Sequence, residues 1–153
     1  MRIAVGADNR GLGVRDHIRD LLQRFGHEVE EVGGPEYPDI ASQVARRVRQ
    51  AKADRGILIA RTGMGMCIVA NRFWGVRAAV CFDEFMAEMS RRYLDVNVLC
   101  LSGELLDKEH AEKIVEVWLN TPFEGGRHAR RIDKISVIER QGPANESERH
   151  DNE

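Results

Sequence analysis

The chain has 153 residues, 42% hydrophobic and 31% charged, with a net charge of −2. That is the size of one domain with one real core and the composition of a soluble globular protein. It excludes a whole-chain nucleic-acid footprint, and no apolar run approaches the ~20 residues that span a bilayer. Cys67, Cys81 and Cys100 form neither a C-x-x-C pair nor an even disulfide framework, so a reducing cytoplasm is the expected compartment.

The opening "MRIAVGAD" holds too short an apolar stretch for a signal peptide and reads as a strand at 2–6. Apolar residues recur at helical spacing from Leu12 to Phe25, and Gly26 follows as the natural helix stop. "HEVEEVG" (27–33) predicts a second, more polar strand nearer an edge. Pro38 to Gln50 predicts a helix with Ala41, Val44, Ala45 and Val48 inward and Arg46, Arg47 and Arg49 on its polar side. "GILIA" (56–60) and "VRAAVC" (76–81) predict the third and fourth strands. A helix from an Asp83 N-cap through Tyr93 follows, then a fifth strand, "NVLCLS" (97–102). Helices are expected at 107–119, with Ala111, Ile114, Val115, Trp118 and Leu119 on one face, and near 127–139.

Apolar strands separated by amphipathic helices imply an α/β fold with a parallel sheet covered on both faces. Ligands in such folds bind beyond the carboxyl ends of the strands. The candidate site loops are therefore 7–11, 61–65 and the segment after Ser102. A single domain is expected over 1–140. The tail 141–153, with four acids, one arginine and no apolar period, is expected to be disordered.

"ARTGMGMC" (60–67) runs from a buried strand into a glycine-punctuated turn with a helix expected after it. Gly63 and Gly65 allow backbone N–H groups to converge on an oxyanion or phosphate; a plain strand-to-helix turn is the competing reading. Neither a dinucleotide fingerprint nor a Walker A pattern is present. Asp8, just past the first strand, could hold sugar hydroxyls or move a proton, or could only cap a turn. Cys67 could carry a lowered pKa near a helix start, or could be a small residue facing the sheet. Arg127 and Arg131, spaced i, i+4 with His128 nearby, could grip a phosphate or form a salt-bridged surface. No His, Cys or carboxylate cluster has metal-ligand spacing.

Together, "IAVGAD", "YPDIASQVA", "GILI", "TGMG", "VANRFWGVRAAVC", "NVL", "EGGRH" and "RID" resemble, in order, segments of the ribose-5-phosphate isomerase B and galactose-6-phosphate isomerase family. The resemblance runs from Met1 to about Ile138. It implies a Rossmann-like three-layer sandwich with a five-stranded parallel sheet and a last helix that packs on a partner subunit. It also implies a homodimer or tetramer, or pairing with a paralogous subunit, and no metal or organic cofactor. The implied chemistry is aldose–ketose interconversion of a small phosphorylated sugar, or a related sugar acid, through an enediolate. Carried over by position, Asp8 matches the sugar-contacting aspartate. Thr62, Gly63 and Gly65 match the anion-stabilising loop, Asn71 the asparagine of the next helix, and Arg127 and Arg131 the phosphate ligands.

The departures bear on the same chemistry. The family's cysteine base stands at Ala60 and its alternative glutamate base at Met66. A histidine after the first aspartate is Asn9, a His-Asn pair is Tyr93-Leu94, a phosphate-binding arginine is Glu104, and a loop glycine is Arg61. Asp8 and Cys67 are the remaining base candidates. Arg61 could bind the ligand's anion or pair with Glu104. An isomerase of altered specificity is expected, with a catalytically inactive ligand-binding or structural subunit as the alternative.

Overall fold

The structure, a computed structural model of the chain, describes residues 1–141. Five strands, β1 (Arg2–Ala7), β2 (Glu28–Val32), β3 (Arg55–Ala60), β4 (Ala78–Val80) and β5 (Val98–Ser102), form one sheet in the order β2-β1-β3-β5-β4. Every pairing is parallel. The expected α/β sandwich is therefore present. Six helices accompany the sheet: α1 (Leu12–Arg24), α2 (Tyr37–Arg49), α3 (Met64–Ala70), α4 (Glu84–Arg92), α5 (Lys108–Asn120) and α6 (Arg127–Gln141).

The strand period of two sorts side chains into two core layers. Ile57 and Ile59 of β3 face the layer built with Val14, Ile18, Leu21 and Leu22 of α1 and Ile114, Val115 and Trp118 of α5. Leu58 and Ala60 face the opposite layer, with Ile40, Ala41, Val44 and Ala45 of α2 and Met66 and Ala70 of α3. The central strands read as near-continuous apolar runs because both faces are covered.

Differences from the sequence reading fall at the edges. β4 spans three residues where 76–81 was expected. On the amino side, a side chain and a turn take the amides: the Arg77 N–H donates to Asn97 Oδ1 (2.8 Å) and the Val76 N–H to the Phe73 carbonyl (3.1 Å). α6 extends to Gln141, the first residue of the expected tail; the rest of that tail, 142–153, lies outside the described residues.

The strand order reverses direction between β1 and β3, so the loops after these two strands diverge and leave a crevice between them.

Candidate active site

The loop after β3 enters α3 through Gly63, whose φ of +81° is left-handed. A Cβ there would lie 3.0 Å from the Leu101 carbonyl oxygen, so glycine is required both for conformation and for close approach. The Thr62 hydroxyl accepts from the Met64 N–H (3.2 Å), and the first α3 bond runs from the Cys67 N–H to the Gly63 carbonyl (3.1 Å). The Gly65 and Met66 amides thus precede the hydrogen-bonded ladder. Gly65 lies under the Tyr37 ring: a Cβ would be 2.8 Å from it.

That tyrosine joins the loop to a neighbouring cleft of about 490 Å³, lined by Asp8, Asn9, Arg10, Pro35, Glu36, Tyr37 and Pro38. Asp8 accepts the Arg10 N–H on Oδ1 (2.9 Å), which shapes the turn and leaves its second oxygen outside that bond. Glu36 occupies the N-cap position of α2 but makes no capping bond with its side chain. The cleft therefore carries two carboxylates beside a glycine loop.

Buried Ser102 ties the loops after β3 and β5 together. Its hydroxyl donates to the Arg61 carbonyl (2.6 Å) and accepts from the Leu105 N–H (3.0 Å), while the Gly103 N–H donates to the Ala60 carbonyl (2.7 Å). Glu36, Tyr37 and Ser102 were not singled out from sequence. A serine closing an apolar strand and a carboxylate before Tyr-Pro at a helix start were the available signals.

The other candidates sit apart from the cleft. Arg61 Nε donates to Glu104 (2.7 Å), an exposed ion pair that raises the Arg61 pKa and lowers that of Glu104. The Asn71 side chain clamps the edge strand: its amide donates to the Ala78 carbonyl (2.9 Å) and its oxygen accepts the Ala78 N–H (2.8 Å). The Cys67 thiol turns toward the sheet and donates to the Ala78 carbonyl (3.4 Å). Ala60 and Met66 are buried in the α2–α3 layer. Arg127 and Arg131 are exposed on α6, and the buried His128 between them stacks on Tyr93 with ring centres 4.5 Å apart. Among the described residues, no group of three or more His, Cys, Asp or Glu is gathered to hold a metal, and no helix is long and apolar enough to cross a membrane.

The profile of the Ribose/Galactose Isomerase family matches residues 3–135. The chain belongs to the ribose/galactose isomerase family. Among its relatives, this family member is 40% identical to ribose-5-phosphate isomerase B of Escherichia coli over 145 residues, covering 92% of this chain and 97% of the relative. It is 37% identical to D-erythrulose-4-phosphate isomerase of Pectobacterium atrosepticum over 147 residues, covering 92% and 97%. Among solved structures, ribose-5-phosphate isomerase B of Clostridium thermocellum superposes with a TM-score of 0.90 at 41% identity, covering 92% of this chain and 99% of that one. The Mycoplasma genitalium enzyme with bound ribulose-5-phosphate gives 0.89 at 38%, covering 92% and 97%. The resemblance read from the motifs is thereby established across the sheet and its loops.

Proposed function

We propose that this ribose/galactose isomerase family member interconverts the aldose and ketose forms of a small phosphorylated sugar. The observation that carries this reading is the cleft holding Asp8 and Glu36 beside the Gly63–Gly65 loop, at the reversal point of the sheet. Such a reaction removes a proton from carbon and stabilises the resulting enediolate. Amides ahead of a helix ladder suit the developing oxyanion, and a carboxylate suits the proton. Asp8 is the proton carrier in this reading. Cys67 is the weaker candidate, because its thiol lies on the Ala78 carbonyl and not in the cleft.

Relatives acting on ribose 5-phosphate and erythrulose 4-phosphate support a four- or five-carbon substrate. Burial of Ala60 and Met66, at the family's usual base positions, supports specificity or efficiency different from ribose-5-phosphate isomerase B.

A homodimer or tetramer completes the proposal. α6 buries His128 and Ile132 on its own chain but leaves Ile135, Val137 and Ile138 exposed at 43%, 48% and 67% beside Arg127 and Arg131. A second copy covering that face would bring the arginines near a neighbour's phosphate. Three free thiols suit a reducing compartment such as the cytoplasm.

The test is deuterium incorporation from heavy water into ribulose 5-phosphate and erythrulose 4-phosphate, followed by NMR. Exchange at the carbon beside the carbonyl, with aldose formation, is expected. Turnover of ribose 5-phosphate should be slower than by the Escherichia coli relative. Binding of a sugar phosphate without exchange would favour the inactive reading, whose specific support is the same pair of buried apolar residues.

A further inference from the structure

The cleft formed by the loops after β1 and β2 holds a cation as well as its two carboxylates. Among the described residues, Arg10 is the one cation in its lining. The Arg10 guanidinium makes no hydrogen bond or salt bridge with any described residue, although Asp8 and Glu36 line the same cleft. The other cations of this end of the sheet are engaged or distant. Arg61 is bonded to Glu104 at 2.7 Å, and Arg10 adds only the smallest of the influences on that carboxyl. Arg127 and Arg131 stand on α6, apart from the cleft.

The backbone of Arg10 is held from two sides. Its N–H donates to Asp8 Oδ1 (2.9 Å), and the Gly11 N–H donates to the Asp8 carbonyl (2.9 Å). A Cβ on Gly103 would lie 2.7 Å from the Arg10 carbonyl oxygen, and a Cβ on Gly11 would lie 2.7 Å from the Ile59 carbonyl oxygen. The turn is thus wedged between the end of β3 and the loop after β5. The exposed side chain swings from a fixed point at the edge of the cleft.

Charge gives that side chain a task. A phosphate ester carries about two negative charges near neutral pH. Two carboxylates in the lining oppose its entry, since like charges brought together cost binding energy. An unpaired guanidinium in the same lining offsets them. Its planar fork matches two phosphate oxygens at once, with charge-assisted hydrogen bonds. Arg10 follows Asp8 by two residues in one rigid turn, so a single loop can hold the reacting carbon and the anionic end of a short sugar.

We propose that Arg10 binds the phosphate of the substrate from inside the cleft and so selects phosphorylated over neutral sugars. The inference rests on the isomerase reading and names the residue of this chain that sets its substrate class. Selection by Arg10 is a property of one chain's own loop. It requires no residue from a second copy, whatever the arginines of α6 add in an assembly.

The full chain and its Arg10→Ala variant are compared on ribulose 5-phosphate and erythrulose 4-phosphate, and on ribulose and erythrulose without phosphate. In the variant, KM for the phosphorylated sugars should rise about 10–100-fold, the weight of a hydrogen bond to a charged group. kcat should change far less, as expected when binding common to substrate and transition state is removed. Inorganic phosphate should inhibit the wild type competitively and the variant only weakly. Arg10→Lys should recover part of the loss, because it keeps the charge and not the fork. An unchanged KM in Arg10→Ala, an equal loss on the neutral sugars, or unchanged inhibition by inorganic phosphate overturns the proposal while wild-type turnover upholds the isomerase reading. If the wild type binds sugar phosphates without turnover, calorimetry reads the same fold-change as a Kd. If it does neither, the isomerase reading fails and this inference with it. If Arg10→Ala does not fold, Arg10→Gln carries the comparison.

Discussion

The two ends of the sheet are closed by different chemistry. At the amino ends, charged side chains seal the strands. Arg2 pairs with Asp54 (3.3 Å), Arg77 and Arg91 share Asp95 (3.1 and 2.8 Å), and Arg91 also donates to the Val96 carbonyl (2.7 Å). Arg55 lies over the Trp118 ring, 5.1 Å from its centre, and burial lowers its pKa to about 10. At the carboxyl ends the backbone closes on itself. Gly63 meets Leu101, Gly103 packs 2.7 Å from the Arg10 carbonyl as measured to a would-be Cβ, and Ser102 stitches the loops. Long cations at one end bond the carboxylates and carbonyls beside them. At the other, glycine loops pack closely beside a cleft lined by two carboxylates. The difference teaches that paired charges close one end of the sheet, while tight glycine contacts close the other and leave a cleft beside them.

The sharpest separation is functional. Asp8→Asn should lower proton exchange and turnover by ~10²–10⁴-fold, the usual contribution of a general base, while the unfolding midpoint stays in place. Equal turnover with Glu36→Gln impaired instead would move the proton to the other cleft carboxylate; both are read by the NMR exchange assay. At the opposite end, Arg91→Ala should cost about 3 kcal/mol in denaturant unfolding, because it strips a nearly buried cation from its acceptors. Any activity that survives folding should be unaffected.

Gly63→Ala joins both ends of the comparison. A left-handed non-glycine residue costs roughly 1–2 kcal/mol, and the Leu101 contact adds to it, so stability and sugar-phosphate binding should fall together by denaturation and calorimetry. A smaller, local effect concerns Cys67. Its reaction with iodoacetamide should rise as pH passes through about 7, whereas Cys81, pushed by burial to about 11, should stay inert in the folded chain.

The smallest effect is expected at Arg61 and Glu104, which are exposed ion-pair partners. Arg61→Ala and the double-mutant cycle with Glu104→Ala should leave the unfolding midpoint nearly unchanged. Whatever the pair contributes is present above the ordinary carboxylate pKa, because Arg61 lowers that of Glu104. It is lost as pH falls through the lowered value. If Arg61→Ala instead abolishes sugar-phosphate binding, the pair opens to the ligand.

The fold and the glycine turn after the third strand were legible in sequence because periodicity and glycine placement are local. "GILIA" running into "RTGMG" announces a buried strand and a turn that only glycine permits, and the strand and the left-handed Gly63 are both present. The role of each polar residue was less legible. Asn71 carries the right chemistry for a ligand, yet both ends of its amide are bonded to Ala78 of the edge strand. Glu36, unremarkable in sequence, lines the cleft because the β1 and α2 loops meet there.

By itself the sequence determined the α/β class, the helices and central strands, the family and the glycine loop, since backbone conformation and hydrophobic period are written in neighbouring residues. Only the tertiary structure decided that Arg61 meets Glu104, that Asp8 and Glu36 share a cleft, and that Cys67 and Cys100 lie in one core layer and Cys81 in the other. These are distances between residues far apart in the chain, set by strand order and by which face of the sheet each side chain takes. A shift of one residue along a strand reverses that face, so proximity follows from register and packing together.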